Sequence, residues 1–192
     1  PMKINKIMKF VPRKYRTYVL VILFASTLFL YFVGAKLNIN ADITTNTYQV
    51  TKVDDGDTIE VLMNGKTETI RFIGIDTPEV HDPRKPVQCF GIAASNFTKS
   101  RLENKRVRLE SDPLSTNRDR YNRLLRYIYV EDLLLNAEIV QEGYGFANLG
   151  FPFTKSEEFE KFQKQAKEQQ KGLWKNCDIS QLDNGQFQTN SE

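Results

Sequence analysis

The sequence predicts an α+β domain, mainly β, built as a five-stranded OB-type barrel with three helices packed against it. Two observations indicate this class. Several short segments alternate apolar and polar residues, which is typical of half-buried strands, and they are mostly contiguous, as in small closed barrels. Three longer segments carry apolar residues at helical spacing. An open antiparallel sheet with helices is the alternative architecture.

An export segment is predicted at the N-terminus. Residues 1–16 carry six basic side chains and no acidic one, and residues 18–33 are apolar apart from one Ser-Thr pair. A basic leader before an apolar run is typical of a signal peptide. Cleavage after Ala35 predicts a secreted protein. Without cleavage, the same helix is a signal anchor that holds the protein at the outer face of the cytoplasmic membrane.

The remaining chain divides into a linker at residues 36–46, a domain at 47–177 and a loose polar tail at 178–192. The formal charge of the whole chain is +3, but the leader supplies six of the 27 basic residues, so residues 36–192 have 21 basic against 24 acidic side chains. This balance excludes a generally basic domain that binds polyanions. Any binding of phosphate must therefore be local.

A predicted hairpin at residues 58–75 organises the domain. Strands at residues 58–63 and 68–75 alternate in polarity, and Asn64-Gly65 between them is a strong hairpin turn. Because a hairpin brings its two ends together, Asp57 and Asp76 are expected to become neighbours at one rim.

Two neighbouring carboxylates predict a site for a hard cation. Calcium takes about 6 to 8 oxygen ligands. The side chains of Asp57 and Asp76, the backbone carbonyl of Thr77 and water molecules are expected to supply them.

Three further charged residues complete the chemistry of a phosphodiesterase. Glu79 is expected to hold and deprotonate a water molecule, while Arg71 and Arg123 offer planar forks of donors to a phosphate. Together with a cation, these groups are what hydrolysis of a phosphodiester requires. Each motif alone also fits an ordinary turn or a solvated strand residue.

The remaining helices, strands and loops are predicted from apolar periodicity and turn residues. The predicted segments are a loop at 81–88, a helix at 90–103, a strand at 105–110, a loop at 111–122, a strand at 123–130, and helices at 134–142 and 155–171. His81, the only histidine of the chain, lies in the first loop, so a Ser-His-Asp or Cys-His mechanism is excluded unless His81 serves in it.

Cys89 and Cys177 are the only cysteines. An even number of cysteines outside the cytosol favours one disulfide. Two unpaired buried thiols are the alternative.

Three motifs resemble those of the staphylococcal nuclease family, the thermonucleases. They are residues 55–58 (DGDT), 71–79 (RFIGIDTPE) and 119–123 (DRYNR), in the family's order and with near-identical spacing. The similarity extends from about residue 48 to residue 174. The resemblance implies an OB-fold barrel, calcium dependence, and endonucleolytic and exonucleolytic cleavage of DNA and RNA to 3′-phosphate products.

The resemblance also implies roles for individual residues. Asp57, Asp76 and the carbonyl of Thr77 resemble the calcium ligands, Glu79 the residue that activates the attacking water, and Arg71 and Arg123 the phosphate-binding arginines. The loop at residues 81–88 is expected beside the site, and the implied contacts with nucleic acid are those of Arg84, Lys85, Arg120 and Tyr121.

The sequence departs from the best-known family member at residues 147–151 (ANLGF), where that protein has tyrosines in its nucleotide pocket. Leu149 cannot replace a tyrosine hydroxyl, whereas Phe151 can still stack on a base. The cysteine pair is also absent from that member, but its surroundings resemble other exported bacterial relatives, which favours the disulfide.

Three functional hypotheses follow. The first is a monomeric, exported, calcium-dependent nuclease with DNA and RNA as substrates and no evident protein partner. The second is a catalytically inactive OB-fold module that binds nucleic acid or protein. The third is a structural protein held at the membrane by its N-terminal helix. The presence of all five charged site residues favours the first, because the resemblance implies that inactive domains of that family lose them.

Overall fold

The computed structural model describes residues 12–15, 18, 21, 22, 24–31, 47–80 and 86–191. Residues 13–15 form a single 3-10 turn and residues 24–31 are helical. Among the described residues, none of the helices has both the length and the apolar character that crossing a membrane requires. Ala35 and the linker at 36–46 lie outside the described residues, so the export segment and its cleavage stay predictions.

Thr47–Glu192 is a compact unit. Its strands are β1 (Thr47–Asp55), β2 (Thr58–Met63), β3 (Lys66–Phe72), β4 (Ile75–Asp76), β5 (Arg106–Glu110), β6 (Leu124–Val130), β7 (Leu133–Leu134), β8 (Phe146–Ala147), β9 (Ile179–Gln181) and β10 (Phe187–Thr189). Its helices are α1 (Gly91–Leu102), α2 (Leu135–Gln141), α3 (Ser156–Glu168) and α4 (Leu173–Asn176).

Within this described part, five strands close into the predicted barrel. They pair in the order β3-β2-β1-β5-β6, with antiparallel neighbours throughout. Parallel pairing of β3 with β6 closes the circle. The sequence reasoning located four of these strands. It missed β1, in which the spacing of apolar residues changes from two between Tyr48 and Val50 to three between Val50 and Val53, where the register with β2 also shifts.

The core fills the barrel and the space beneath two helices. Fully buried side chains include Ile59, Val61, Ile70, Val107 and Ile128 from the strands and Leu135, Ile139 and Phe159 from α2 and α3. Burying each such side chain stabilises the fold by about 1.5 to 3 kcal/mol. The three predicted helices are present, with ends that differ from the predicted ones by one to three residues.

The predicted strand at residues 68–75 is broken at residues 73 and 74. Gly74 has a φ of +75°, a conformation that glycine adopts without a steric penalty. The buried Asn136 side chain donates to the Ile73 carbonyl at 2.9 Å, and the Ile73 N–H donates to the Arg126 carbonyl at 3.0 Å. Beyond the break, β4 pairs with β8, which fixes the chain direction at Asp76.

The prediction of a loose tail at residues 178–192 is wrong. β9 and β10 form an antiparallel hairpin around Asn184-Gly185, and Gly185 has a φ of +82°. The Phe187 ring packs 5.8 Å from Phe146 and 5.7 Å from Trp174. One aromatic side chain therefore anchors a segment whose other residues are mostly polar. The Asn-Gly pair was the available sequence signal.

The predicted disulfide is present and ties this hairpin to the start of α1. Cys89 and Cys177 are bonded, with their Cα atoms 5.9 Å apart. The Cys89 N–H donates to the Asn190 carbonyl at 2.8 Å, and the Thr189 hydroxyl donates to the Cys89 carbonyl at 2.9 Å. The C-terminal segment is thus attached on both sides of its turn.

Asp112 anchors the loop between β5 and β6. One of its carboxylate oxygens accepts the Tyr127 hydroxyl at 2.7 Å and the backbone N–H of Thr154 at 2.8 Å, and the other accepts the Leu114 N–H at 2.8 Å. Burial alone would raise the pKa of Asp112, but these bonds and the Thr154 hydroxyl outweigh it and lower the pKa to about 2. The bonds hold the base of a loop that carries Arg120 and Arg123.

Candidate active site

The two acidic turns pack directly against each other at the barrel rim. An Asp57 carboxylate oxygen accepts the Thr77 N–H at 2.9 Å, and its other oxygen accepts the Thr58 hydroxyl at 3.0 Å. A Cβ added at Gly56 would lie 2.8 Å from the Thr77 Oγ1 atom, so only glycine permits this approach. The buried Thr98 of α1 donates to the Gly56 carbonyl at 2.6 Å. Asp57 and Asp76 are therefore brought to one rim, as the hairpin predicts.

Arg71 joins the two aspartates. Its Nη1 atom lies 2.7 Å from Asp57 Oδ2, and its Nη2 atom lies 2.6 Å from Asp76 Oδ1. The Ile75 carbonyl accepts a further bond from Nη1 at 3.1 Å. Burial lowers the pKa of Arg71, but the neighbouring Asp57 and Asp76 outweigh this and raise it. The guanidinium is therefore a counter-ion shared by both carboxylates, and its single positive charge offsets only part of their negative charge.

The backbone of Glu79 is clamped by Gln88. The Glu79 N–H donates to Gln88 Oε1 at 2.7 Å, and the Gln88 N–H donates to the Glu79 carbonyl at 3.0 Å. A Glu79 carboxylate oxygen also accepts the Val80 N–H at 3.2 Å. The sequence reasoning did not find Gln88, because a single contact between residues nine positions apart leaves no periodic signal.

Asp55 is a further acidic group of the site that the sequence reasoning left out. Burial, the charge of Asp57, and the charge and hydrogen bond of Glu79 raise the pKa of Asp55 to about 7. Desolvation by the surrounding protein also raises the pKa of Asp76 to about 6, although the Arg71 guanidinium opposes this shift and the side chain remains 46% exposed on its open side. Because the two turns bring the carboxylates of Asp55, Asp57, Asp76 and Glu79 into one cleft with Arg71, the turns carry an excess of negative charge that a cation would relieve.

Arg123 lies at the start of β6, beside a tyrosine. Its Nε atom donates to Asp119 Oδ2 at 2.7 Å, which fixes the orientation of the guanidinium. The outer edge of the guanidinium, formed by its two Nη atoms, can donate to another acceptor. The guanidinium carbons of Arg123 and Arg120 lie 5.3 and 4.8 Å from the Tyr121 ring centre. This cluster is cationic and aromatic, as expected for a surface that contacts nucleic acid.

These groups share one cleft with a volume of about 1020 Å³. Its lining includes all six predicted catalytic and metal-binding residues, namely Asp57, Arg71, Asp76, Thr77, Glu79 and Arg123. Arg120 and Tyr121 line it as well. Arg84 and Lys85 lie outside the described residues. Phe151 is 69% exposed and does not belong to the described cleft lining, so the structure does not bring it to the site.

The donor set fits a hard cation. The described residues hold no group of three or more histidine, cysteine, aspartate or glutamate side chains arranged for a metal ion. The candidate ligands are instead two carboxylates, those of Asp57 and Asp76, and the Thr77 carbonyl. All are oxygens, and Thr77 Oγ1 is buried without a hydrogen-bond partner among the described residues. Such a set suits calcium, with water or phosphate oxygens completing the coordination.

The fold and the cleft define a class, a closed OB-type barrel with an acidic, arginine-lined cleft at its rim. Residues 69–176 match the family model described as staphylococcal nuclease homologue. This segment is more than half of the chain, and the chain therefore belongs to that family.

Curated relatives agree with this assignment. A thermonuclease of Staphylococcus hyicus is 44% identical over 131 residues, which are 68% of this chain and 76% of that protein. A thermonuclease of Staphylococcus intermedius is 41% identical over 136 residues, covering 70% and 80% of the two chains. The SPbeta prophage-derived endonuclease YokF of Bacillus subtilis is 37% identical over 122 residues, covering 62% of this chain and 41% of that protein.

Proposed function

We propose that this protein is a calcium-dependent, sugar-nonspecific nuclease that hydrolyses phosphodiester bonds of DNA and RNA and leaves 3′-phosphate products. The observation that carries the proposal is the single cleft in which Arg71 joins two aspartates while Glu79 and Arg123 line the same space. Family membership and the names of the thermonuclease relatives support it.

Each residue has a role in this reaction. Asp57, Asp76 and the Thr77 carbonyl would hold calcium, which supplies a positive charge that stabilises the negative charge building on the phosphate. Glu79 takes a proton from a water molecule as the water oxygen attacks phosphorus. The bond from phosphorus to the 5′ oxygen breaks, and the 5′ oxygen leaves as a hydroxyl after taking a proton from a solvent water molecule. Arg123 donates to the phosphate oxygens through the outer edge of its guanidinium.

Arg71 has a second task in addition to binding phosphate. In the structure both of its Nη atoms contact aspartates. To bind a phosphate, it must exchange part of this pairing for the phosphate oxygens. Arg71 is thus both the internal counter-ion of the two aspartates and a phosphate ligand.

We further propose that the protein acts as a monomer after export, either released or anchored through the N-terminal helix. The basic leader and the apolar run at residues 18–33 support export, and the disulfide suits an oxidising compartment.

Digestion of plasmid DNA, single-stranded DNA and RNA tests the nuclease proposal. The purified chain is incubated with calcium or with excess chelator, beside Glu79→Gln and the control Glu131→Gln, whose side chain is 84% exposed. We expect cleavage of all three substrates only with calcium, strong loss in Glu79→Gln and none in the control. Folded wild-type protein that binds DNA in calcium without cleaving it would instead identify an inactive binding module.

A further inference from the structure

The C-terminal hairpin forms one wall of the active-site cleft. Leu182, Gln186, Phe187 and Gln188, all from β10 or the turn before it, line the same space as the acidic turns and Arg123. The hairpin belongs to residues 178–191, outside the segment that matches the family model. Neither that match nor the sequence reasoning gives this wall a role.

The wall is anchored at several points. Phe187 packs against Phe146 and Trp174, and Asn190 accepts the Cys89 N–H at 2.8 Å. The Gln186 side-chain amide donates to Asn148 Oδ1 at 3.1 Å, and the Asn148 N–H in turn donates to the Gly74 carbonyl at 2.8 Å. A surface fixed at several points can orient a ligand with little loss of conformational entropy.

The cleft lining is chemically asymmetric. All its charged lining residues lie outside the hairpin: the acidic turns supply carboxylates, and Lys52, Arg71, Arg120 and Arg123 supply positive charge, whereas the lining residues of the hairpin are uncharged. Two of these, Gln186 and Gln188, have side-chain amides that both donate and accept hydrogen bonds. A nucleic-acid strand has the matching asymmetry, because its phosphates are anionic while its bases are uncharged and carry donors and acceptors on their edges.

We propose that Gln186 and Gln188 form a subsite for the nucleobase adjoining the scissile phosphate, and that they bind its edge while the arginines bind the backbone. The proposal rests on the proposed nuclease function. Gln188 contacts the base directly. The Gln186 amide already donates to Asn148 Oδ1 at 3.1 Å and accepts from Asn184 Nδ2 at 2.7 Å, so it contributes its second N–H and its second lone pair, and it holds Asn148 in position. The ligand class is an unpaired nucleotide, since a paired base does not offer its pairing edge to side chains.

Binding experiments with and without bases test this subsite. The Glu79→Gln protein, in calcium, is titrated with a labelled single-stranded oligonucleotide and with an abasic strand of the same length and charge. Adding Gln188→Ala or Gln186→Ala should weaken binding of the oligonucleotide about 3- to 10-fold, the usual effect of one lost hydrogen bond. Binding of the abasic strand should stay within about twofold. The matched control is Gln169→Ala, an exposed glutamine outside the described cleft lining.

Equal weakening for both strands, or no weakening for either, would overturn the proposal. Because the readout is binding, it does not depend on cleavage. If wild type binds but never cleaves, the nuclease proposal fails while the base subsite is still tested.

Cleavage provides a second readout in the wild-type background. Gln188→Ala should lower kcat/KM for oligonucleotides about 3- to 10-fold, mainly through KM, and leave hydrolysis of bis(p-nitrophenyl) phosphate unchanged. That substrate has a phosphodiester and no base. Equal loss on both substrates would show that the glutamine serves the structure of the site rather than recognition of the base.

Discussion

Replacing Arg71 by methionine tests whether its guanidinium is the counter-ion of the acidic site. Arg71 contacts Asp57 and Asp76 at 2.7 and 2.6 Å, and its own side chain is 14% exposed. Methionine keeps much of the side-chain volume but removes the charge and all the donors. Without calcium, the variant therefore leaves the buried Asp57 carboxylate without its ion-pair partner.

The expected loss of stability in Arg71→Met follows from the burial of the two carboxylates that Arg71 contacts. The Asp57 side chain is 8% exposed, whereas that of Asp76 is 46% exposed and can be solvated by water. Removing one partner of a buried ion pair costs about 3 to 5 kcal/mol. We expect a loss of this size in the free energy of unfolding in chelator, nearly all of it from Asp57. Calcium should stabilise the variant more than wild type, because the ion no longer competes with the guanidinium.

Urea unfolding at neutral pH, in chelator and in millimolar calcium, measures both effects. The matched control is Arg118→Met, which removes an ion pair to Glu68 whose side chains are 33% and 26% exposed. Such a pair contributes only about 0 to 1 kcal/mol. A loss below about 1 kcal/mol for Arg71→Met in chelator would refute the counter-ion role. Equal stabilisation of variant and wild type by calcium would show that the ion and Arg71 do not share the aspartates.

Three further predictions concern Gln88 and Arg123 of the site and Asp112 of the loop that carries Arg123. Gln88→Met removes the acceptor of the Glu79 N–H, so kcat should fall about 10-fold with KM nearly unchanged; steady-state kinetics with an oligonucleotide checks this, and an equal rise in KM would contradict it. Arg123→Lys should lower kcat about 100-fold without loss of stability, because the point charge of a lysine does not replace the two-pronged donor of a guanidinium. Full activity of this variant in the same kinetic assay would refute the role of Arg123 as a phosphate ligand. Asp112 has its pKa lowered to about 2 against about 3.9 when unfolded, so its roughly 2 kcal/mol of stability is present above about pH 4 and is lost as the pH falls towards 2. Urea unfolding should show that Asp112→Asn lowers the free energy of unfolding by about this amount at neutral pH, and that its deficit relative to wild type shrinks below pH 4. A deficit that does not change with pH would contradict the lowered pKa of Asp112.

The sequence predicts the barrel and the meeting of the two acidic turns because both depend on local rules. Alternation gives the strands, and a hairpin necessarily brings Asp57 near Asp76. Gly56 completes the approach by leaving room for Thr77. The disulfide follows from the number of cysteines and an assumed compartment, and the structure contains it.

The parts that the sequence reasoning missed depend on contacts between distant segments. Gln88 contacts Glu79 from nine positions further along the chain, and the burial that raises the pKa of Asp55 arises only when the two turns pack together. The C-terminal hairpin is stabilised by one aromatic side chain, Phe187, amid polar residues, so composition alone suggested a loose tail. Its Asn-Gly turn was visible but had no apolar alternation beside it.

The central claim is that Glu79 acts as a base and does not bind the metal. Calorimetric titration of calcium into wild type and Glu79→Gln, with turnover measured on the same samples, tests it most directly. The account predicts calcium dissociation constants that agree within about threefold while turnover falls by about 100-fold or more. A loss of calcium affinity as large as the loss of turnover would contradict it, and would make Glu79 a ligand.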